Sequence, residues 1–73
     1  MDKNSKLYTK EPDGTVTVWY LFGWYGPRFA VSCVKNAKLR DYKRYYHMEE
    51  IGSRIFLTRE EAKAAPGIFY HEK

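Results

Sequence analysis

GSRIFLTREEAKAA, residues 52–65, is the stretch that decides the fold class of this chain. Residues 54–57 predict a short strand that turns directly into a helix. Thr58 and Glu61 have the S/T-x-x-E spacing of a capping box, in which the threonine hydroxyl accepts a hydrogen bond from the Glu61 amide. We therefore expect a helix to begin at Thr58. Pro66 ends that helix, because proline disfavours helical geometry in the residue before it.

Four further segments predict strands joined by short loops: Lys6–Lys10, Thr15–Phe22, Arg28–Lys35 and Tyr42–Met48. Glu11-Pro12-Asp13-Gly14 predicts a turn, because proline presets the first central dihedral and glycine accepts the left-handed position. Residues 23–27 are rich in glycine and proline and predict a loop with Trp24 and Tyr25 at its tip. Such short connections favour antiparallel neighbours.

The predicted fold is therefore α+β, a small antiparallel sheet of four to five strands with one short C-terminal helix. The sheet can curl in the manner of SH3-like barrels and so bury its aromatic side chains. All 73 residues fit a single domain with a thin core, since a chain this short buries only ~60% of its unfolded surface. We expect residues 1–5 and 71–73 to be frayed, and residues 68–70 to pair with a sheet edge or cover the core.

Composition narrows the class of protein further. No apolar run reaches the ~20 residues that a membrane span needs, and no signal peptide opens the chain. The single cysteine excludes an intrachain disulfide framework. We therefore expect a cytoplasmic protein that does not contact membranes. Lys6 and Lys10 guard the edge of the sheet, which favours a monomer over a homodimer.

Candidate catalytic residues are few. Cys33 is predicted to lie within a strand, where a free cysteine behaves as an inert buried hydrophobic residue. His47 is the only interior candidate for a base beside it. The two histidines, His47 and His71, show no metal-ligand spacing, and no glycine-rich loop could cradle a phosphate. We predict that the protein is not an enzyme and uses neither a cofactor nor a metal.

Two groups of residues are candidates for binding. Trp24 and Tyr25 could anchor a protein partner, although Trp24 could instead complete the core. A second, basic-aromatic group could bind nucleic acid, because cations neutralise phosphates while tyrosine rings stack on bases. In a strand its charges and rings alternate between the two faces, which equally fits a half-buried strand with solubilising cations. The net charge of +4 on the whole chain also favours binding to a polyanion. The group comprises Lys35, Lys38, Arg40, Lys43, Arg44 and Tyr45.

The segment Ile51–Ala62, IGSRIFLTREEA, resembles the C-terminal signature of small proteins encoded by phages and conjugative elements of Gram-positive bacteria. That signature reads close to I-G-K-x-V-F-L-T-R-E-E-A in short, β-rich proteins that are uncharacterised. Pro66 departs from it, since such proteins continue the helix with a further apolar residue. The resemblance implies a mobile-element origin and a bacterial intracellular setting, and it brings no catalytic or binding residue with it.

Together these observations predict a non-enzymatic accessory protein that acts through an unknown protein partner. A nucleic-acid-binding module is the alternative. A further alternative is an inhibitor of a host defence system, an analogy drawn from the size and source of anti-CRISPR and similar proteins.

Overall fold

A computed structural model describes residues 2–65, which form a four-stranded antiparallel sheet, one 3-10 helix and one short α-helix. This confirms the predicted α+β class, because the sheet curls into a half-barrel and the helix follows it. The strands are β1 (Lys6–Lys10), β2 (Val16–Tyr25), β3 (Arg28–Ser32) and β4 (Arg44–His47); the 3-10 helix is Met48–Glu50 and the α-helix is α1 (Arg59–Ala64).

The strands form a meander in the order β1-β2-β3-β4, and every neighbouring pair is antiparallel. Beyond β4 the chain crosses to the opposite edge of the sheet. There Tyr8 and Phe56 exchange two backbone hydrogen bonds of 2.8 Å. The strand predicted over residues 54–57 is thus reduced to isolated bridges, of which the one between Tyr8 and Phe56 extends the sheet beyond β1.

The predicted loop over residues 23–27 is wrong. β2 continues through Trp24 and Tyr25, which pair with Phe29 and Arg28, and only Gly26 and Pro27 form the turn. A shift of register between Leu21 and Gly23 marks a β-bulge at this place. Glycine suggested a break from the local sequence, but pairing with β3 keeps the backbone extended. Gly26 meets the need for a left-handed residue with a φ of +66°.

The core lies mainly on one side of the curled sheet. Its buried cluster consists of Leu7, Trp19, Leu21, Phe29, Val31 and Ile55. Alternation along β2 places Trp19 and Leu21 in this cluster, while Val18 and Tyr20 on the opposite face are half-buried. We call the side with the cluster the inner face and the opposite side the outer face. Both faces of β2 are therefore covered in part.

The next two strands are shorter than predicted. β3 ends at Ser32, so Cys33 is exposed and the prediction of a buried cysteine within a strand is wrong. β4 begins at Arg44 rather than Tyr42, because the residues before it form a compact loop closed by hydrogen bonds. β4 ends where His47 caps the 3-10 helix.

The predicted start of the helix is confirmed. Thr58 is the N-cap of α1, and the Glu61 amide donates to its hydroxyl oxygen at 3.2 Å. Lys10 anchors the other end, because its ammonium group donates to the carbonyl oxygens of Lys63 and Ala65 at 3.2 and 3.0 Å. Cations at a helix C-terminus also interact favourably with its dipole. The predictions for Pro66 and for residues 68–70 lie outside the described residues. Neither helix within residues 2–65 is long and apolar enough to cross a membrane.

Candidate binding surface

Two tyrosine rings contact each other at a tilt on the outer face near the β2–β3 turn. Tyr25 of β2 and Tyr45 of β4 have ring centroids 6.3 Å apart at an interplanar angle of 49°. Their side chains remain 52% and 60% exposed. Aromatic pairs at such distances stabilise one another by about 0.5–1.5 kcal/mol beyond the area they bury. The pair is thus oriented and largely open to solvent.

Small residues beneath the rings make this arrangement possible. Gly23 and Tyr45 lie on either side of Ala30 in the sheet register, and Ala30 is 0% exposed. A Cβ atom on Gly23 would lie 3.3 Å from the Tyr25 hydroxyl oxygen, so the absence of a side chain there leaves room for the ring. Gly23 and Ala30 therefore form a platform on which the tyrosine rings lie.

An arginine extends this surface in the next row of the sheet. Arg28 pairs with Tyr25 on one side and with His47 on the other, and it is exposed. Tyrosine and arginine are the residue types most enriched at the energetic centres of protein interfaces. We call Tyr25, Arg28 and Tyr45 the hairpin surface.

Trp24 lies on the opposite side of β2 from Tyr25, although sequence analysis placed both at one loop tip. Its ring packs on Phe29 with centroids 5.1 Å apart, and the side chain remains 40% exposed. Successive residues of a strand point to opposite faces, so the two aromatic side chains cannot share one flat surface. The Trp24 side chain thus packs at the edge of the core and is also partly exposed to solvent.

The basic-aromatic group does not form one surface. Its members occupy three places: Tyr45 lies on the outer face, Arg44 on the inner face, and Lys35, Lys38, Arg40 and Lys43 in the loop between β3 and β4. The alternation predicted along residues 44–47 is thus present. It separates the charges from the ring of Tyr45 rather than joining them.

Arg44 is engaged in a network on the inner face. Its guanidinium lies over the Trp19 ring, 4.5 Å from the centroid, and Nη1 donates to the Tyr46 hydroxyl at 3.3 Å. Nη2 lies 3.8 Å from Oε1 of Glu11. The hydroxyl of Thr9 connects the two halves, since it donates to Glu11 at 2.6 Å and accepts from the Trp19 indole at 2.9 Å.

Burial, hydrogen bonds and charge together set the pKa values within this network. Burial alone would lower the pKa of Arg44, but hydrogen bonds to the Tyr46 and Tyr42 hydroxyls and the charge of Glu11 raise it above its ordinary value. Burial raises the pKa of Tyr46, against a smaller lowering by Arg44. The network therefore holds a guanidinium and a neutral phenol at physiological pH, and it connects the β1–β2 turn to β4.

The surroundings of Cys33 favour the neutral thiol over the thiolate. Burial raises the pKa of the Cys33 thiol, and the charge of Arg44 lowers it to a lesser degree. A reactive cysteine requires the opposite, a lowered pKa that favours the thiolate. His47 is also occupied, because its Nδ1 accepts from the Glu49 amide and its own amide donates to the Glu50 carboxylate at 2.7 Å. Within residues 2–65 no cluster of histidine, cysteine and carboxylate residues could hold a metal ion.

Sequence reasoning missed the ordered loop between β3 and β4 and the role of Lys43 in it. The only local signal is Asp41, three residues after Lys38, a position suited to a turn. The contact partners of Lys43 are carbonyl groups, which any residue supplies, so no pattern of residue types could reveal them. Likewise, nothing in the sequence indicates that Tyr45 would meet Tyr25, because the contact depends on the sheet register.

Comparison with known proteins adds no assignment: no protein-family model, curated protein or solved structure matches this chain. The mobile-element origin stays a prediction that rests on the resemblance of residues 51–62. The hairpin surface is accordingly interpreted from its own chemistry.

Proposed function

We propose that this chain is a small binding protein that acts by docking its hairpin surface onto a protein partner. The observation that supports this most is the tilted, half-exposed ring pair of Tyr25 and Tyr45 on the platform of Gly23 and Ala30. Rings that a sheet already orients lose little conformational freedom on binding. A protein partner can therefore gain most of the contact energy that these rings offer.

The chemistry of the surface defines the partner. Two phenol rings supply apolar area with hydroxyl groups at their tips, and Arg28 supplies a planar, permanently charged donor. The complementary surface carries an apolar cleft with a carboxylate or carbonyl oxygen atoms at its edge. Trp24 at the rim can add contact area without belonging to the same face.

The test uses matched substitutions of exposed tyrosines. Tyr25→Thr and Tyr45→Thr remove the rings and keep a residue that favours strands, while Tyr42→Thr removes an exposed ring outside the hairpin surface. Immobilised wild-type and variant chains are exposed to lysate of a Gram-positive bacterium. A captured protein is then purified and its affinity measured with each variant.

We expect Tyr45→Thr and Tyr25→Thr each to weaken binding of the purified partner by about tenfold or more, since central interface tyrosines typically contribute over 1.4 kcal/mol. Tyr42→Thr is expected to leave the affinity unchanged. Equal affinity of the wild type and both hairpin variants would contradict the proposal, as would a loss that Tyr42→Thr shares.

A further inference from the structure

The loop between β3 and β4 carries most of the net charge of the protein. Within residues 33–43 there are four cations and one aspartate, so the segment has a charge of +3 out of the +4 of the whole chain. The other residues together contribute only +1. We call residues 33–43 the basic loop; its cations are Lys35, Lys38, Arg40 and Lys43.

Reciprocal hydrogen bonds hold the basic loop in one shape. At its start, the Asn36 backbone amide donates to the side-chain oxygen of Asn4 at 3.0 Å. The side-chain amide of Asn4 in turn donates to the side-chain oxygen of Asn36 at 2.6 Å. Further on, the Asp41 amide donates to the Lys38 carbonyl at 3.0 Å and the Lys38 amide donates to the Asp41 carboxylate at 2.7 Å. Residues 38–41 thus form a β-turn that is closed from both ends.

The ammonium of Lys43 lies inside this turn. It donates to the carbonyl oxygens of Lys38, Leu39 and Asp41 at 2.7, 3.0 and 2.7 Å, and it lies 4.4 Å from the centroid of the Phe22 ring. These carbonyl groups therefore point toward the ammonium. Their partially negative oxygen atoms are therefore turned away from the outward side of the turn.

The outward surface of the turn is cationic and has an apolar tip. Leu39 occupies the first corner of the turn and is 88% exposed, between Lys38 and Arg40. Among residues 2–65, the cationic groups of Lys35, Lys38 and Arg40 make neither a hydrogen bond nor an ion pair. The loop is thus ordered, and its outward cations have no hydrogen-bond or ion-pair partner within the described part of the chain.

We propose that the basic loop is a second binding site and that its ligand is double-stranded DNA. Lys35, Lys38 and Arg40 would contact backbone phosphates, and Leu39 would enter the minor groove as an apolar wedge at a base step. Proteins that bind this groove combine cations with wedges of leucine, isoleucine or phenylalanine in this way. A turn that carries an apolar residue between two cations suits a groove that is bordered by phosphates. Lys43 and Arg44 are excluded from the contact because both are engaged within the protein.

The test measures fluorescence anisotropy of a labelled DNA duplex of two helical turns, titrated with the whole protein at 50 and at 200 mM salt. Three phosphate contacts give a salt slope of about −2.7, hence an affinity about 40-fold lower at the higher salt. Lys38→Gln with Arg40→Gln should reduce that fall to about fourfold, because one contact remains. Leu39→Ser should weaken binding about tenfold without changing the slope, since it removes apolar burial and no charge.

A control with the same net charge separates a site from general attraction. Lys6→Gln with Lys63→Gln removes two exposed cations outside the basic loop and should leave both affinity and slope close to wild type. Equal losses in the two double variants, no binding at 50 mM salt, or an unaltered affinity in Leu39→Ser would each overturn the proposal. The proposal would also be overturned if the wild type bound no DNA but captured a protein that Leu39→Ser fails to capture. That result would assign the loop to a protein partner.

The proposal is independent of the hairpin surface. Tyr25→Thr and Tyr45→Thr should bind the DNA duplex like wild type, because both rings lie outside the basic loop. Failure of one proposal therefore leaves the other intact, and the two sets of variants distinguish them.

Discussion

The hairpin surface and the basic loop are both exposed and both ordered, but different forces order them. Ladder hydrogen bonds and the packing of Trp24 and Tyr46 on the buried Phe29 hold the hairpin surface. The basic loop depends instead on a few polar contacts, centred on one ammonium group. Many weak contacts make a surface tolerant of single changes, whereas a few strong ones make a loop sensitive to them.

This difference suggests how each region can vary. A side chain of the hairpin surface can be exchanged without loss of shape, because the strand beneath it persists. We expect the basic loop to lose its shape without Lys43 or Asp41, so its outward residues should vary more freely than these two. The four substitutions below test this contrast, in order of decreasing expected effect.

Phe29→Ala should have the largest effect. Phe29 is fully buried and contacts the rings of Trp24 and Tyr46, so its removal leaves a cavity in a thin core. We expect the free energy of unfolding to fall by about 3–5 kcal/mol, measured by urea denaturation with tryptophan fluorescence. A loss below about 1.5 kcal/mol would show that the hairpin surface does not depend on this packing.

Lys43→Met should loosen the basic loop and little else. The substitution nearly keeps the length of the side chain and removes three hydrogen bonds, which we expect to cost about 1–2 kcal/mol because the site is half-buried. Amide hydrogen exchange should accelerate at Asp41 and its neighbours, while amides paired in β2 and β3 keep their protection. Lys35→Met serves as the control. Uniform acceleration across the sheet would remove the contrast between the two regions.

Tyr46→Phe should change the alkaline limit of stability. The pKa of Tyr46 is raised in the folded protein above its unfolded value of about 10, chiefly by burial. Its neutral form is thus favoured by folding, and that stability is lost as the pH rises through the unfolded pKa toward the folded one. Wild type should therefore lose stability more steeply than Tyr46→Phe above about pH 10, as followed by urea midpoints. Parallel pH profiles would contradict this.

Gly23→Ala should have the smallest effect on stability and a specific effect on the hairpin surface. The new Cβ atom would lie 3.3 Å from the Tyr25 hydroxyl, so the ring must move by a few tenths of an ångström. We expect the unfolding free energy to change by less than about 1 kcal/mol, because alanine is also less flexible in the unfolded chain. The NMR signals of the Tyr25 and Tyr45 rings should shift, while those of Tyr8 stay in place. Unshifted signals of the pair would mean that Gly23 does not govern its geometry.

The candidate site could be predicted only in part from the sequence. Tyr25 was predicted to bind a protein from its residue type and its place in a glycine-flanked loop; that segment is a strand, and the binding role stays a prediction. Tyr45 was identified within a charged group to which it does not belong spatially. Its contact with Tyr25 depends on the register of β4 on β3, which the alternation within a single strand does not determine.

The sequence by itself determined the features that depend on neighbours a few residues apart. The extent of β1, the turn at Glu11–Gly14 and the start of α1 at Thr58 follow from hydrogen bonds and dihedral preferences that operate within one turn of chain. Only the tertiary structure decided which cations are free and which are engaged. Lys43 and Arg44 are adjacent in sequence, yet one orders a loop and the other crosses the inner face to Glu11. The reason is that Arg44 begins β4 and lies on its inner face, whereas Lys43 belongs to the loop before it, and packing between segments distant in sequence decides what each side chain meets.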